Sequence, residues 1–516
     1  MKISQPIIKP AHALAAVLLL AATSALRADG DTAAGEQSTI DVLRAQIQEL
    51  DEKLRILERK QENADETNSS EFKKIPTIKA DDKGLTVESK DKSYQFRLRG
   101  LLQTDFRSYI GSGEQNESLP SGQFTPTDQN DGFVLRRVRP RFQGKLWDRL
   151  NFEFTPELTW SNGGSTGNTV RIIDTYGDFK IYDELNVKFG LFKTPLGLER
   201  LQGAANTAFP ERGLATNLVP TRDIGVQLWG RTWDQQLTYS VGFFNGTVNS
   251  DDSRGNLDLD EGEDFVAGIF VEPFKNNGPI WAQGLGVGFA GSIADNDSTN
   301  ANTTSSRLRY RSAGQDPFFD TNTANFGFNG ESYRLNPQAY YYYGPFSFLG
   351  EYVLSSYEFV GRNSALASFG RGGKVESQAA TLQVGYVLTG EDASYNGVKP
   401  LRPAGLSEGG GFGAWELVAR FNFLTVSDDA FKDFNPGANN VDRFAAGGSA
   451  SEAIGYGVGL NWYVNTNTKF QLAYEHTQFN GYSGRQTATN AGQAAQVGAG
   501  DRPSEDLVTA RFQLAF

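Results

Sequence analysis

Apolar and polar residues alternate along most of the chain after about residue 93, which is the period of a β-strand with two different faces. In YQFRLRGLLQTDF (residues 94–106), one face is apolar and the other carries Arg97 and Arg99. The final segment DLVTARFQLAF (residues 506–516) alternates in the same way. A barrel wall between lipid and water requires this pattern, although a soluble β-sandwich shows it as well.

The number and spacing of the strands favour the barrel. Sixteen candidate strands begin near residues 94, 133, 150, 170, 185, 224, 236, 264, 284, 332, 346, 375, 413, 452, 468 and 505. Short turns alternate with long loops, which occupy residues 111–132, 193–223, 249–263, 294–331, 428–451 and 481–504. The connection at residues 389–412 is an exception, because it is long where a short turn is expected. The sequence therefore predicts an all-β fold, a 16-stranded antiparallel transmembrane β-barrel at residues 93–516, with an aqueous lumen and periplasmic termini.

Residues 1–28 predict a signal peptide. Two lysines precede the apolar run LAAVLLLAA (residues 14–22), and small residues follow it, so cleavage is expected after Ala25 or Ala28. An anchoring helix is the alternative, but the run is too short to cross a bilayer of roughly 30 Å. The mature protein is therefore expected in the bacterial outer membrane, in contact with lipid and lipopolysaccharide, with its N-terminal segment in the periplasm.

Residues 38–63 predict a coiled-coil helix that self-associates. Its apolar residues alternate in spacings of three and four, namely Ile40, Leu43, Ile47, Leu50, Leu54 and Leu57. The seam leaves the number of helices open, and a single amphipathic helix on a surface is the alternative. A polar linker is expected at residues 63–74. Residues 29–92 thus form a predicted periplasmic coiled-coil segment and linker, which would bring residues 38–63 near peptidoglycan.

Composition excludes several classes of function. The chain has Cys 0 and only two histidines, His12 and His476, which removes disulfide frameworks, thiolate metal sites and most zinc or imidazole chemistry. His476 could serve a membrane phospholipase, but no serine partner is identifiable. Basic residues are interspersed with acidic loops in an exported chain, which argues against nucleic acid as a partner. We therefore expect no catalytic residues, no metal site and no cofactor.

A basic segment stands out because the formal net charge is -12. FVLRRVRPRFQGKLW (residues 133–147) contains Arg136, Arg137, Arg139, Arg141 and Lys145. Strand parity turns all of these except Arg136 towards water and turns the apolar positions towards lipid, namely Val134, Val138, Phe142 and Leu146. An arginine facing lipid at mid-membrane costs about 2–4 kcal/mol, so the strand should bulge at Arg136 or place it near the rim. Pro140, which cannot donate a ladder hydrogen bond, is compatible with such an irregularity.

Aromatic residues are expected near the ends of the strands, where membrane interfaces favour amphipathic rings. They are Trp147, Trp229, Trp233, Trp462 and the run from Tyr340 to Tyr343. The tyrosines could instead form a stacking track for sugars inside the pore, but consecutive residues alternate faces and at most two point inward. We interpret the run as part of the interfacial girdle.

Several segments together resemble the phosphate-selective porin O and P family, in order over nearly all of residues 85–516. They are FRLRGLLQTDF (96–106), FVLRRVRPRF (133–142), VKFGLFKTPLGLER (187–200), GYVLTGE (385–391), GAWEL (413–417) and GLNWYVN (459–465). The resemblance implies a homotrimer of 16-stranded barrels, each narrowed by a third loop that folds inward. That loop, residues 193–223, carries Arg200, Arg212 and Arg222.

The resemblance also implies site residues. Phosphate-selective members place an arginine pair in the second strand, a lysine after GLE, an acidic partner near the constriction and a loop arginine after Glu. The matching positions are Arg136, Arg137, Arg200, Asp174 and Arg212. Three positions depart from the pattern, because an expected arginine is Leu101 and two expected tyrosines are Arg139 and Lys193. The resemblance therefore implies an anion preference without strict selectivity for phosphate.

The predicted function is an outer-membrane porin with a water-filled, anion-preferring channel for passive uptake of phosphate or similar small anions. Its predicted pore lining consists of Arg97, Arg99, Arg136, Arg137, Arg139, Arg141, Lys145, Asp174, Lys193, Arg200, Arg212 and Arg222. Fixed cations in a narrow lumen raise the local anion concentration and repel cations. Two alternatives remain open, namely a structural barrel that anchors the periplasmic coiled coil as an envelope tether, and a general non-selective porin.

Overall fold

The computed structural model describes residues 33–72, 76–110, 131–159, 170–247, 262–297, 307–405, 410–436, 442–482 and 504–516. Two compact units are present, Met1–Ile75 and Pro76–Phe516. The predicted signal peptide lies outside the described residues. None of the described helices is long and apolar enough to cross a bilayer.

The first unit contains helix α1 (Ala33–Phe72). The apolar seam predicted for a coiled coil lies along it, and its side chains are exposed, from 43% for Ile40 to 65% for Leu57. Ion pairs one turn apart, such as Lys53 with Glu49 at 2.6 Å, support the polar face. The helix continues to Phe72, through most of the segment predicted as a polar linker at residues 63–74, and the linker stays a prediction. The coiled coil itself stays a prediction.

In its described residues, the second unit consists mainly of twenty strands. They are β1 (Thr77–Asp81), β2 (Gly84–Glu88), β3 (Gln95–Tyr109), β4 (Gly132–Leu146), β5 (Leu150–Glu157), β6 (Arg171–Tyr182), β7 (Leu185–Phe192), β8 (Asp223–Thr232), β9 (Leu237–Phe244), β10 (Asp264–Val271), β11 (Leu285–Asp297), β12 (Arg309–Arg311), β13 (Pro317–Asp320), β14 (Phe326–Tyr343), β15 (Phe346–Gly361), β16 (Gly372–Val387), β17 (Ala414–Val426), β18 (Ala450–Tyr463), β19 (Thr468–Tyr482) and β20 (Ser504–Ala515). Helix α2 (Leu198–Leu201) and three short 3₁₀ helices lie in the described connections.

Sixteen of these strands form a closed antiparallel barrel, as predicted. Strands β3–β11 and β14–β20 pair in sequence order, and β20 closes the barrel on β3 through pairs such as Arg511 with Asp105. The predicted starts of the strands agree closely with the structure. The largest difference is at β14, which begins at Phe326 rather than near residue 332. Strands β12 and β13 form a separate two-stranded sheet within the connection between β11 and β14.

A hairpin within residues 29–92, which the sequence assigned to the periplasmic segment, extends the barrel wall. Strands β1 and β2 pair with each other, and β2 pairs with β3 through Leu85 and Leu98. This contact continues the edge of β3 beyond the point where β20 ends, at Ala515 opposite Leu101. Gly84 is needed at the turn because its φ is 93° and a Cβ would lie 2.2 Å from the carbonyl oxygen of Leu98.

The bulge expected at Arg136 is present. The pairing of β3 with β4 passes from Gln103 opposite Arg137 to Thr104 opposite Leu135, which leaves Arg136 without an opposite residue. Both arginines therefore reach the lumen. Thr104 and Leu102 share one face of β3, and they lie opposite Leu135 and Val138 of β4. The lipid-facing residues of β4 are therefore odd-numbered before the bulge and even-numbered after it. The predicted lipid-facing position of Val134 was therefore wrong, since it pairs with the inward-facing Asp105.

The largest apolar core of the barrel unit lies inside the lumen rather than between two layers. Residues of the third loop (residues 193–222), of the β11–β14 connection and of the β17–β18 connection pack against the inner faces of β9–β11 and β14–β19. Members include Leu214, Phe318, Phe326, Val353 and Phe444. Each such side chain contributes roughly 1.5–3 kcal/mol when fully buried. This core fills one side of the lumen and leaves the side of β3–β8 open.

The connection after β16, which was unexpectedly long, also enters the lumen through its described residues Tyr395 and Val398. Its Val398 joins a buried cluster with Tyr463, and Tyr342 packs against that cluster. The rings of Tyr340 and Tyr395 stack at 5.6 Å. Tyr340 and Tyr342 therefore face the lumen, and the girdle interpretation was wrong for these two residues, whereas Tyr343 is 48% exposed on the outer face.

Candidate functional site

A strongly basic cavity of about 570 Å³ lies between the inner faces of β3–β8 and the third loop. Among the described residues, twelve of its lining side chains are Arg or Lys and four are Asp or Glu. The cations are Arg99, Arg136, Arg137, Arg139, Arg141, Arg171, Lys188, Lys193, Arg200, Arg212, Arg222 and Arg311, and the carboxylates are Glu153, Glu157, Asp174 and Glu211. The local charge is therefore opposite in sign to that of the whole chain.

Most residues predicted to line the pore come together in this cavity. They are Arg99, Arg136, Arg137, Arg139, Arg141, Asp174, Lys193, Arg200, Arg212 and Arg222. Two lie elsewhere. Arg97 donates from Nε to the hydroxyl of Thr86 at 3.2 Å, beside the β1–β2 hairpin. Lys145 pairs with Asp148 at 2.5 Å at the turn after β4.

The arginines of the barrel wall are paired with carboxylates. Arg139 Nε lies 2.5 Å from a carboxylate oxygen of Glu157, and Arg141 Nη2 lies 2.8 Å from one of Glu153. Strand β5 presents both glutamates inward because they are four residues apart and share one face. Each pair leaves an arginine that is positioned and partly neutralised, which lowers its individual affinity for an anion.

A third pair joins the third loop to the wall. Arg222, near the end of the loop, donates from Nε and Nη2 to the two carboxylate oxygens of Asp174 on β6, at 2.9 and 3.0 Å. This bidentate contact fixes the point where the loop rejoins the barrel at β8. It also places the acidic residue implied by the resemblance directly in the cavity lining.

The loop crosses the lumen and is fastened to the opposite wall. Lys469 Nζ donates to the carbonyl oxygen of Thr207 at 3.0 Å, and Gln471 Nε2 donates to that of Ala208 at 3.0 Å. Arg511 donates to the carbonyl oxygen of Pro210. These side chains satisfy backbone groups that would otherwise be buried without partners, so the narrowing of the lumen is a fixed part of the fold.

Helix α2 is held at its N-terminal end within this loop. Gly197 precedes it with a φ of 87°, and the N–H groups of Leu198 and Glu199 donate to the carboxylate of Glu351 on β15 at 2.7 and 3.3 Å. The hydroxyl of Tyr395 donates to the carbonyl oxygen of Leu198 at 2.6 Å. The inward-folding connection at residues 388–413 therefore supports the constriction directly.

Two cations of the loop lie at the carbonyl end of α2. Lys193 Nζ donates to the carbonyl oxygens of Arg200, Leu201 and Gln202 at 2.7, 3.3 and 3.0 Å. Arg212 donates from Nη2 to the same Gln202 oxygen at 2.8 Å. Carbonyl dipoles favour cations at this end of a helix. Neither cation has a carboxylate within ion-pair distance among the described residues, and burial together with the nearby Arg212 and Arg222 lowers the pKa of Lys193.

Glu211 connects the arginine pair to the loop. Arg136 contacts its two carboxylate oxygens at 2.5 and 3.0 Å, and Arg137 Nη2 lies 3.5 Å away. Burial alone would raise the pKa of Glu211, but Arg136, Arg137 and Arg511 hold it well below its usual range. The carboxylate is therefore ionised at neutral pH and faces the cavity together with the arginine pair.

Sequence analysis missed some of the lining. Glu153 and Glu157 could have been found from the alternation of β5, because Glu153 lies opposite Gln143, which shares the inward face of β4 with Arg139 and Arg141. Arg171 could not, because it is three residues from the inward-facing Asp174 and the register of β6 shifts between them. Glu211 lies in the third loop and Arg311 at the end of β12, a strand of three residues that is too short to carry a periodic signal. Among the described residues, no group of three or more His, Cys, Asp or Glu is placed to hold a metal ion.

His476 lies outside the cavity. Its Nδ1 is 2.8 Å from a carboxylate oxygen of Asp506, which also accepts a hydrogen bond from the hydroxyl of Tyr474 at 2.6 Å. These residues lie on the outer face of β19 and β20, because they alternate with inward-facing residues such as Glu475.

Comparison with known proteins places the chain among porins. The family model described as "Phosphate-selective porin O and P" matches residues 116–516. Porin O of Pseudomonas aeruginosa is 26% identical over 416 residues, which cover 76% of this chain and 84% of that protein.

Solved structures of outer-membrane proteins match the chain at low sequence identity. The outer-membrane channel DcaP of Acinetobacter baumannii matches with a TM-score of 0.47 and 11% identity, over 83% of this chain and 99% of that one. OmpT of Vibrio cholerae matches with a TM-score of 0.45 and 11% identity, over 82% and 98%. An anion-selective porin from Comamonas acidovorans matches with a TM-score of 0.43 and 13% identity, over 82% and 100%.

Proposed function

The chain belongs to the phosphate-selective porin O and P family, and from this membership we propose that its cavity is a water-filled, anion-preferring path for passive uptake of phosphate or similar small anions. The protein is an outer-membrane porin. The observation that supports the proposed path is the excess of twelve lining cations over four carboxylates in a chain of net charge -12.

The cavity attracts anions through its field and holds them through hydrogen bonds. Fixed cations beside an apolar core raise the local concentration of anions and repel cations. At an effective dielectric constant of about 20, one cation at 4 Å from an anion contributes roughly 4 kcal/mol before desolvation costs. Arginines add paired N–H donors that match the oxygens of phosphate-type anions.

Passage requires that no single site holds the anion too firmly. The wall arginines Arg139 and Arg141 share their donors with Glu157 and Glu153, so each offers a moderate site. Lys193 and Arg212 lie at the narrowing, where both donate to the carbonyl oxygen of Gln202 and neither has a carboxylate partner among the described residues. An anion therefore moves along a series of moderate sites, with its strongest attraction near these two residues.

A homotrimer is part of the proposal. Strands β5, β7, β9 and β10 have eight residues each, whereas a transmembrane strand exposed to lipid needs about 9–11. Strands on the opposite side are longer, with 16 residues each in β15 and β16. Neighbouring protomers that cover the short side would shield it from lipid.

Block of chloride current by phosphate tests the preferred ion. Single channels of the full chain in planar bilayers should carry chloride current, and added phosphate should reduce that current in a saturable manner at millimolar concentrations. Saturation is expected because phosphate occupies the same sites and makes more hydrogen bonds to arginine than chloride does. Chloride current that phosphate leaves unchanged would contradict phosphate as a preferred solute and would favour the general porin.

A further inference from the structure

We propose that Glu211 is a specificity-determining residue that acts as a tethered counter-anion. Its carboxylate occupies the arginine pair Arg136 and Arg137 and competes with the passing anion, so that binding stays weak enough for conduction. The idea rests on the proposed function, because it concerns how the same cavity releases its anions.

The carboxylate of Glu211 lies within reach of four arginines. Its Oε1 is 2.5 Å from Arg136 Nε, 3.0 Å from Arg511 Nη2 and 3.3 Å from Arg107 Nη2. Its Oε2 is 3.0 Å from Arg136 Nη2 and 3.5 Å from Arg137 Nη2. A phosphate oxygen at this position would meet the same N–H donors in the same geometry.

The backbone on both sides of the carboxylate is fixed. Arg511 donates to the carbonyl oxygen of Pro210, and Arg420 Nη1 donates to that of Glu211 at 2.7 Å. Because these residues lie on β20 and β17, the third loop cannot withdraw the carboxylate far from the arginines. An anion that displaces it therefore always faces an intramolecular competitor.

A second carboxylate in the same cluster, that of Asp105, only connects β3 to β20. Asp105 contacts Arg511 at 2.6 and 2.7 Å, and it is 0% exposed and lies outside the cavity lining. Glu211, Arg136 and Arg137 do line the cavity. Glu211 is therefore the carboxylate of this cluster that a passing anion meets.

Exchange explains how an arginine cluster can conduct. Several uncompensated arginines would trap an anion, whereas replacing a carboxylate–arginine contact by a phosphate–arginine contact exchanges bonds of the same kind. The anion leaves when Glu211 restores its contacts. Removing the carboxylate should therefore tighten anion binding and prolong each blocking event.

Phosphate block of chloride current in Glu211→Gln tests this directly on the full chain in planar bilayers. Glutamine keeps the size of the side chain and removes its charge. We expect the half-blocking phosphate concentration to fall on the order of tenfold, and the dwell time of each block to lengthen by a similar factor, because affinity changes act mainly on release.

Two further variants make the test decisive. Glu211→Asp retracts the carboxylate by one methylene, so about threefold tighter block is expected. Glu505→Gln is the control, because it removes one negative charge from an inward-facing carboxylate that lies outside the cavity lining. The Glu505 carboxylate accepts hydrogen bonds from Ser312 Oγ at 2.8 Å and from Gly314 N at 2.9 Å. We expect phosphate block of this control within about twofold of the unchanged protein.

The outcomes separate this inference from the proposed function. If the unchanged protein shows no phosphate block, the proposed function fails. If it is blocked but Glu211→Gln conducts with equal or weaker block, Glu211 only supports the loop and the inference is wrong. Equal tightening in Glu505→Gln would assign the effect to overall charge and also overturn it. If Glu211→Gln does not assemble, the phosphate block measured in Glu211→Asp tests the inference. A half-blocking phosphate concentration equal to that of the unchanged protein would contradict it.

Discussion

At the scale of single residues, the bulge at Arg136 marks the point in β4 where the alternation of lipid-facing and lumen-facing residues shifts by one position. Lipid-facing residues are odd-numbered before it, as Phe133 and Leu135 show, and even-numbered after it, as Val138 shows. Of the five cations in this strand, Arg136 alone conflicted with parity, so the sequence predicted an irregularity there. It could not predict that Val134 would change sides, because the position of the bulge depends on which residue of β3 lies opposite.

The partners of the arginines were only partly predictable. Glu153 and Glu157 follow from the alternation of β5. Glu211 does not, because its position depends on the path of the third loop, which brings it to Arg136 on β4 and Arg511 on β20. Sequence analysis therefore identified most of the cations and missed most of the carboxylates that moderate them.

Lys193→Gln should weaken the preference for anions more than any change at the turn after β4. Lys193 is held by three carbonyl oxygens in the cavity, whereas Lys145 pairs with Asp148 outside it. One charge at 4 Å in water is worth about 1 kcal/mol, so the ratio of chloride to potassium permeability should fall about fivefold in Lys193→Gln. Reversal potentials in a KCl gradient measure this ratio.

Lys145→Gln is the matched control, because it removes the same charge from a residue outside the cavity. Its permeability ratio should stay within experimental error of the unchanged protein. A fall as large as that of Lys193→Gln would mean that the general charge of the barrel, rather than the cavity, sets the preference.

At the scale of elements, the strands were predictable and the paths of their connections were not. Alternation and turn spacing located all sixteen barrel strands because each strand carries its own period-two signal. The folding of residues 193–222 and 388–413 into the lumen depends on contacts with distant strands, such as that of Tyr395 with Leu198. The unusual length of the second connection was visible in the sequence, but its inward path was not.

Tyr395→Phe tests whether this connection supports the constriction. The change removes the hydrogen bond to the carbonyl oxygen of Leu198 at 2.6 Å and keeps the ring that stacks on Tyr340. A single hydrogen bond of this kind contributes about 0.5–1.5 kcal/mol. We expect larger fluctuations of the open-channel current, with the anion preference retained.

Tyr352→Phe provides the control on the outer face of the barrel, where the hydroxyl donates to Gln378 Oε1 at 2.8 Å. Its current fluctuations should equal those of the unchanged protein. Equal fluctuations in Tyr395→Phe would show that residues 388–413 do not restrain the third loop.

At the scale of the whole molecule, acidic and basic groups are segregated. The net charge of -12 coexists with a cavity whose lining has an excess of cations, so the electrostatics of transport are local. Helix α1 adds a second unit whose apolar seam is exposed along residues 40–57. Its role, as a coiled coil or as an envelope tether, is separable from transport by experiment.

Deletion of residues 38–63 separates these roles. We expect the single-channel conductance and anion preference to remain, because the cavity is built entirely from residues 99–516. Self-association should weaken if the seam forms a coiled coil, and cross-linking in membranes measures this. Loss of envelope integrity with unchanged conductance would support the tether, whereas loss of conductance would contradict the independence of the pore.

The reversal potential of the unchanged protein in a planar bilayer under a KCl gradient tests the central claim most directly. Twelve lining cations against four carboxylates predict a potential displaced towards the chloride equilibrium value. A potential displaced towards the potassium equilibrium value, or a reconstituted protein without conductance, would contradict the account.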